Sequence, residues 1–393
     1  MQKFFNKLHD YLNFITNGNT TAGYISLIAF FAVFCHFRVT VALMYALAIF
    51  IAVCPATQKQ IIKHKSAYIL FLFFIVTLIT AYVHRNLRGI SMSWSFLMIS
   101  IIGLYLRSVM TEKLFEFLLN LFCLGCIPIF IGCIISKIMY FNEVNYRIGI
   151  WFGNSNYLSS ILAAIIIICA YKVIGKKGAS PAYYLVALGC AICIYFSGSM
   201  FAWIEIFAGV STLLSIKRKH QLLGGFLLFC VLGFFILYCV PEVFPRLNES
   251  NITTDNRVLI WQDSIHYIPE NLWFGKGFFT YRTLPMSYPT SHAHNFVIEP
   301  LLSFGIIGSL ILAAFFFFYY RSVIICGRLL RRDWPTAIIL SISAAVIIHA
   351  TTDMTMIWSQ TALFYAMVMS GLGASEAKLE KIRLRRKLNS KTI

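Results

Sequence analysis

Charge is scarce in this sequence. Only 12% of its 393 residues are Asp, Glu, Lys or Arg, and just 15 are acidic. Soluble domains are about a quarter charged and nearer half apolar, whereas this chain is 59% hydrophobic with a mean hydropathy of +0.76. That balance excludes a soluble globular enzyme. The chain shows no internal repeat of the kind that builds solenoids. Its first twenty residues, MQKFFNKLHDYLNFITNGNT, are amphipathic and have no apolar core followed by a small-residue cleavage site, so no cleavable signal peptide is expected. Cysteine chemistry is also poorly supported. Nearly all of the eleven cysteines lie in apolar runs, and the CxxC spacings Cys123/Cys126 and Cys190/Cys193 read as packing.

Long apolar blocks are abundant. They fall near 22–37, 39–55, 67–83, 89–106, 114–135, 157–174, 182–197, 199–216, 222–240, 302–320, 335–350 and 356–373. Most approach the roughly 17–25 residues that span a bilayer as a helix. The fold class expected is an all-α polytopic membrane protein, a single integral domain over 1–393 with about twelve transmembrane helices. A cytoplasmic N-terminus would place 24 of the 33 Lys and Arg residues inside and nine outside, as the positive-inside rule requires. A basic cytoplasmic tail, 374–393, would lie against anionic membrane lipids. The net charge of +18 is then a topology signal and calls for no nucleic acid.

With that orientation, the polar features gather outside. One large extracytoplasmic loop, 241–295, carries Arg246, Arg257, Lys276 and Arg282 together with the aromatic run NLWFGKGFFTY. A second reads YFNEVNYRIGIWFGNSN and contains Arg147, and shorter turns read FSGS and HATTD. Interfacial histidines and arginines are often plain anchors, and that reading stands for His292. Glu299 and Asp353 are each explained nearly as well by a structural hydrogen bond or cap as by a site. For Glu205, deep in an apolar block, an intramembrane salt bridge is the expectation.

Four ordered pieces go further. His294-Asn295 is followed by Gly305 and Gly308; upstream stand Arg257-x-x-x-Trp261 and Pro269…Gly275-x-Gly277; further upstream stand Arg147, Gly153, Asn154 and Asn156. Together they resemble the signature of the O-antigen ligase and O-antigen polymerase superfamily, over roughly residues 145–310. The resemblance implies a GT-C-like membrane glycosyltransferase in cell-surface polysaccharide assembly, working on the outer (periplasmic) face of the cytoplasmic inner membrane. It implies an undecaprenyl-pyrophosphate-linked glycan as donor, and a growing glycan or lipid A–core as acceptor. One departure stands out. Where the family has Ser-Arg after the seventh span, this chain has Ser199-Met200, so Arg147 or Arg282 compensates or the donor differs.

The residue types suit that chemistry on their own terms. A pyrophosphate leaving group needs fixed cations, and arginine presents a planar fork to phosphate oxygens. Arg257 is the first choice and Arg147 the second. The acceptor hydroxyl must lose a proton, and histidine takes protons near neutral pH, which makes His294 the candidate base. Asn295, Arg282, Glu299 and Asp353 are candidate substrate-binding residues. No cofactor is called for, and no acidic DxD-like pair stands outside to hold a metal. A lipid-linked glycan transporter is the rival reading, although transporters place charge at the membrane midplane and here it collects at one face. A non-catalytic scaffold is the third.

Overall fold

The computed structural model describes residues 2–143, 146–175, 179–240, 250–331 and 333–389. Arg246, Lys176, Lys177, Arg332 and Lys391 lie outside the described residues, as do positions 241–249 of the expected large loop. Sixteen α-helices and short 3-10 turns make up the described regular structure. Eleven of the twelve apolar blocks fall mainly on one helix each, whereas the block 356–373 is divided among a 3-10 turn (Thr355–Ile357), α15 (Ser359–Met369) and the start of α16 (Leu372–Asn389). Among the described residues five helices are long and apolar enough to cross a membrane: α5 (Ser66–Val83), α6 (Leu87–Val109), α7 (Glu112–Met139), α8 (Ser155–Gly175) and α13 (Ile298–Leu329). A pair bent by 90°, α3 (Phe37–Val53) and α4 (Pro55–Ile62), forms a sixth apolar unit. The shorter apolar helices are α2 (Thr20–Phe34), α9 (Ala182–Ser197), α10 (Met200–Ile216), α11 (His220–Cys239) and α14 (Trp334–His349). The protein is an all-helical, polytopic membrane protein.

Local chemistry sets several helix ends. The side chains of Asn86, Thr111 and Asp333 accept hydrogen bonds from the backbone N–H groups of Gly89, Leu114 and Thr336, satisfying donors that the first turn leaves open. Gly198, at φ +62°, ends α9. The core sits where α8, α9, α10 and α14 pack together, and α8 is buried along most of its length. Cys123, Cys126 and Cys133 of α7, Cys169 of α8 and Cys190 and Cys193 of α9 are buried free thiols, with the Cys126 and Cys190 sulfurs 3.6 Å apart.

The two ends of the bundle differ. At one end charges pair off: Arg107 with Glu376 at 2.6 Å, Lys172 with Glu116, and Lys378 with Glu112 at 2.7 Å. The first and third clamp the basic helix α16 to α6 and α7, and the second ties α8 to α7. The turns 84–86, 147–156, 197–199 and 350–358 meet at the other end, beneath the segment joining α11 to α13. Its described part is not irregular chain. It carries α12 (Ser250–Tyr267) and then a compact run of turns to Val297.

That run is fastened by a break in α13. Gly305 has φ 59° and ψ −166°, outside any helix. The break frees the N–H groups of Ile306 and Ile307, which bond to the carbonyls of Leu272 and Trp273 at 2.8 and 3.0 Å. Gly277 N–H in turn bonds the Ser303 carbonyl at 2.8 Å. The chains approach so closely that a Cβ on Gly305 would fall 2.5 Å from Phe274 N, and one on Gly275 would fall 2.3 Å from Ser303 O. The glycine spacings in the sequence thus mark a backbone-to-backbone clasp. Asn86 completes it, donating to the carbonyls of Lys276 and Phe278 at 3.1 and 2.8 Å.

Candidate active site

The stretch from Ser291 to Ile298 reverses direction and enters α13. Asn295 makes the turn: its Oδ1 accepts from Val297 N at 2.9 Å and Ile298 N at 3.2 Å, and its Nδ2 donates to Thr351 O at 3.1 Å. Glu299 braces the same turn from below, accepting from Ala293 N at 2.7 Å and Ser303 Oγ at 2.6 Å. Held from both sides, His294 adopts φ 51°, a left-handed conformation costly for a side chain larger than glycine.

The strained turn aims the imidazole. Its Nδ1 lies 2.9 Å from Asp353 Oδ1 and its Nε2 lies 2.7 Å from Thr290 Oγ1. Asp353 is 2% exposed, in the turn after α14, while His294 keeps 22% of its side chain exposed. Burial opposes ionisation of Asp353, but the hydrogen bond from His294, and after it the field of the surrounding histidines, outweigh it. The carboxyl is therefore held well below the usual carboxylate range. An ionised Asp353 can only accept, which assigns the Nδ1 proton to His294 and leaves Nε2 as the basic nitrogen.

His292 is no interfacial anchor in this fold. Its side chain is 1% exposed, its ring lies 4.1 Å from that of His294 between centroids, and its Nε2 is 3.7 Å from Asp353 Oδ1. Its Nδ1 accepts from His294 N at 3.3 Å. Burial first, and the neighbouring His294 second, push its imidazole down to about 4, so it stays neutral.

Asp353 also links the histidine to a cation. Its Oδ2 accepts from Asn156 Nδ2 at 2.6 Å, and Asn156 Oδ1 accepts from Arg147 at 2.7 Å. Arg147 further donates to Ser197 O at 3.2 Å, and Ser199 Oγ lies 3.3 Å from the same Asn156 oxygen. The guanidinium therefore sits beside the Ser199-Met200 position that departs from the family pattern. Arg257, on α12, places its guanidinium carbon 5.0 Å from the Phe201 ring centre. Phe201 in turn lies 6.0 Å from the His349 ring. His349 is the partner of Glu205, at 2.9 Å. Arg282 is exposed, 3.5 Å from Ser291 Oγ.

Among the described residues one group of three side chains, His292, His294 and Asp353, brings metal-ligating atoms within 4.8 Å of one another. Both Asp353 oxygens already accept hydrogen bonds, from His294 and Asn156.

Residues 184–313 match the family model described as O-Antigen ligase. Over this segment the chain is similar to the O-antigen ligase and polymerase superfamily. Members of that family are membrane ligases and polymerases of the glycosyltransferase kind, acting in polysaccharide assembly. No curated protein matches the chain. The ligase segment contains Arg257, Arg282, His294, Asn295 and Glu299; Arg147 and Asp353 lie outside it and reach the histidine only through the fold. Asn156, His292 and Thr290 join them there. Asn156 stood in a quoted motif, but nothing in the sequence signalled Thr290.

Proposed function

We propose that the protein transfers a glycan from a polyprenyl pyrophosphate, undecaprenyl pyrophosphate in a bacterial membrane, to a hydroxyl of an acceptor sugar. The acceptor is lipid A–core or a growing glycan, and the chemistry is the same for both. Transfer takes place at the outer face of the cytoplasmic membrane, with the chain crossing it about twelve times and the basic end inside. The observation that carries this reading is His294, ordered by Asp353 on one nitrogen and basic at the other, on a turn at the end of an apolar helix.

In the proposed reaction the acceptor oxygen attacks the anomeric carbon, and the bond from that carbon to the pyrophosphate oxygen breaks. The acceptor proton passes to His294 Nε2, and Asp353 stabilises the imidazolium that forms. The polyprenyl pyrophosphate leaves as an anion. Arg257 holds its phosphates, and Arg147, next to Met200, supplies the second cation. Asn295 and Glu299 act here by fixing the turn that carries His294. The proposed reaction calls for no metal ion, because the leaving group is already charged.

The test is transfer from a purified lipid-linked glycan donor in detergent. His294→Ala is expected to lower turnover by about 10²–10⁴, the range for losing a general base, with insertion and donor binding retained. Loss of donor binding instead of turnover would remove His294 from the role of base.

A further inference from the structure

The basic nitrogen of His294 faces a neighbour. Thr290 Oγ1 lies 2.7 Å away, and with Nδ1 protonated toward Asp353 the Thr290 hydroxyl is the donor to Nε2. A hydroxyl giving its hydrogen to that nitrogen stands where an acceptor hydroxyl must stand to lose its proton. Thr290 also belongs to the wall of a cavity of about 350 Å³ formed by the segment 281–291. Arg282, Met286, Tyr288, Pro289 and Ser291 line it as well.

We infer that this cavity is the acceptor subsite, and that the Thr290 hydroxyl occupies the acceptor hydroxyl's position until a sugar displaces it. The inference rests on the glycosyl-transfer reading above. The lining fits a sugar ring, which has apolar C–H faces and a polar rim. Tyr288 (37% exposed), Met286 and Pro289 offer apolar surface, while Ser291, Thr290 and Arg282 offer hydroxyl and guanidinium partners. The volume lies at the lower end of the roughly 300–1,000 Å³ of small-molecule sites, enough for the terminal part of a glycan with the remainder outside.

The wall is braced from behind. Asp263, on α12, accepts from Ser287 N at 2.8 Å, Ser287 Oγ at 3.0 Å and the Tyr281 hydroxyl at 3.4 Å. Tyr267 donates to Pro285 O at 3.3 Å. Arg257 lies on the same helix, six residues before Asp263, or about 9 Å along its axis. One helix thus sets the separation between the leaving-group cation and the acceptor wall.

The test uses the full-length protein and a defined probe, the free oligosaccharide released from the host's own glycan and carrying no pyrophosphate. In Tyr288→Cys protein, the oligosaccharide should slow alkylation at position 288 in a dose-dependent way, whereas polyprenyl pyrophosphate alone should not. Lack of protection, or equal protection by polyprenyl pyrophosphate, overturns the assignment. In transfer assays Tyr288→Ala should raise acceptor KM about tenfold with donor binding retained; an unchanged KM overturns it too. Thr290→Val should alter acceptor KM and keep kcat within roughly tenfold of wild type. A loss as deep as that of His294→Ala would put Thr290 in the proton path and end its role as a stand-in. Should the wild-type protein transfer nothing, the glycosyl-transfer reading fails while the protection experiment still reports on the cavity.

Discussion

Asp353 Oδ1 lies 2.9 Å from Nδ1 of His294, although 59 residues separate the two and each sits at the end of a different apolar helix. The contact fixes the tautomer and the direction of the ring together.

Asp353→Asn keeps the shape of the side chain and removes its charge. The amide no longer requires a proton on Nδ1 and gives little support to an imidazolium. Turnover is expected to fall by about 10² or more, with KM for both substrates little changed. Equal turnover in the Asn variant would show that the dyad serves only to pack the turn.

His292 gives a pH signature. Its ordinary value of 6.5 is pushed down to about 4 in the fold, so the folded protein resists a proton that the unfolded chain accepts. The resulting stability is fully present above 6.5 and is lost as pH falls from there through about 4. Melting temperature in detergent should decline across that window, and the decline should be shallower in His292→Gln. Asp353, held low, should stay ionised over the same range.

His292→Ala should be harmful in its own right. It leaves His294 N, in a part-buried position, without its acceptor, at a cost of about 1 kcal/mol, and loosens the left-handed turn. A drop in both thermal stability and turnover is expected; a fully active, stable variant would show that the neighbouring ring has no part in aiming His294.

Arg257→Lys tests recognition against bare charge. Lysine is a point charge on a flexible stem and cannot form the two parallel bonds of a guanidinium. Binding of the lipid-linked donor should weaken in the lysine variant nearly as much as in Arg257→Ala. Near-normal binding with lysine would make Arg257 an electrostatic anchor.

A chelator tests the cluster of His292, His294 and Asp353. Transfer by purified protein should be unaffected by EDTA, and stoichiometric zinc or manganese should not raise it. Loss on chelation with recovery on adding one metal would assign the cluster to that ion.

The membrane class and the identity of His294 and Arg257 as candidates could be read along the chain, because apolar length and local spacing both survive in a linear text. The link from Arg147 through Asn156 to Asp353 could not. Asn156 and Asp353 are 197 residues apart, and only the packing of α8 and α14 brings them together. The burial of His292 was hidden for the same reason: its cover comes from the turn after α14. Glu205 showed as an acid needing a partner, but His349 could not be chosen as that partner from hydropathy. The helical pattern runs unbroken through Gly305, since an apolar run carries no mark of a single residue with positive φ.

That break has a consequence for how substrates arrive. The carbonyls of Leu272 and Trp273 and the N–H groups of Ile306 and Ile307 satisfy one another where α13 leaves its helical path. Lifting the 268–297 segment away would strip these four groups together with Gly277 N–H and the Ser303 carbonyl, six in all, a cost that rises where the surroundings are apolar and offer no other partner. The clasp therefore opposes lifting of the segment as a hinged lid. For the reaction proposed above, a lipid carrier with a long isoprenoid tail would then enter sideways from the bilayer, between helices, while the acceptor would come from the aqueous side. The two proposed substrates would reach the site by different doors, on either side of the clasp.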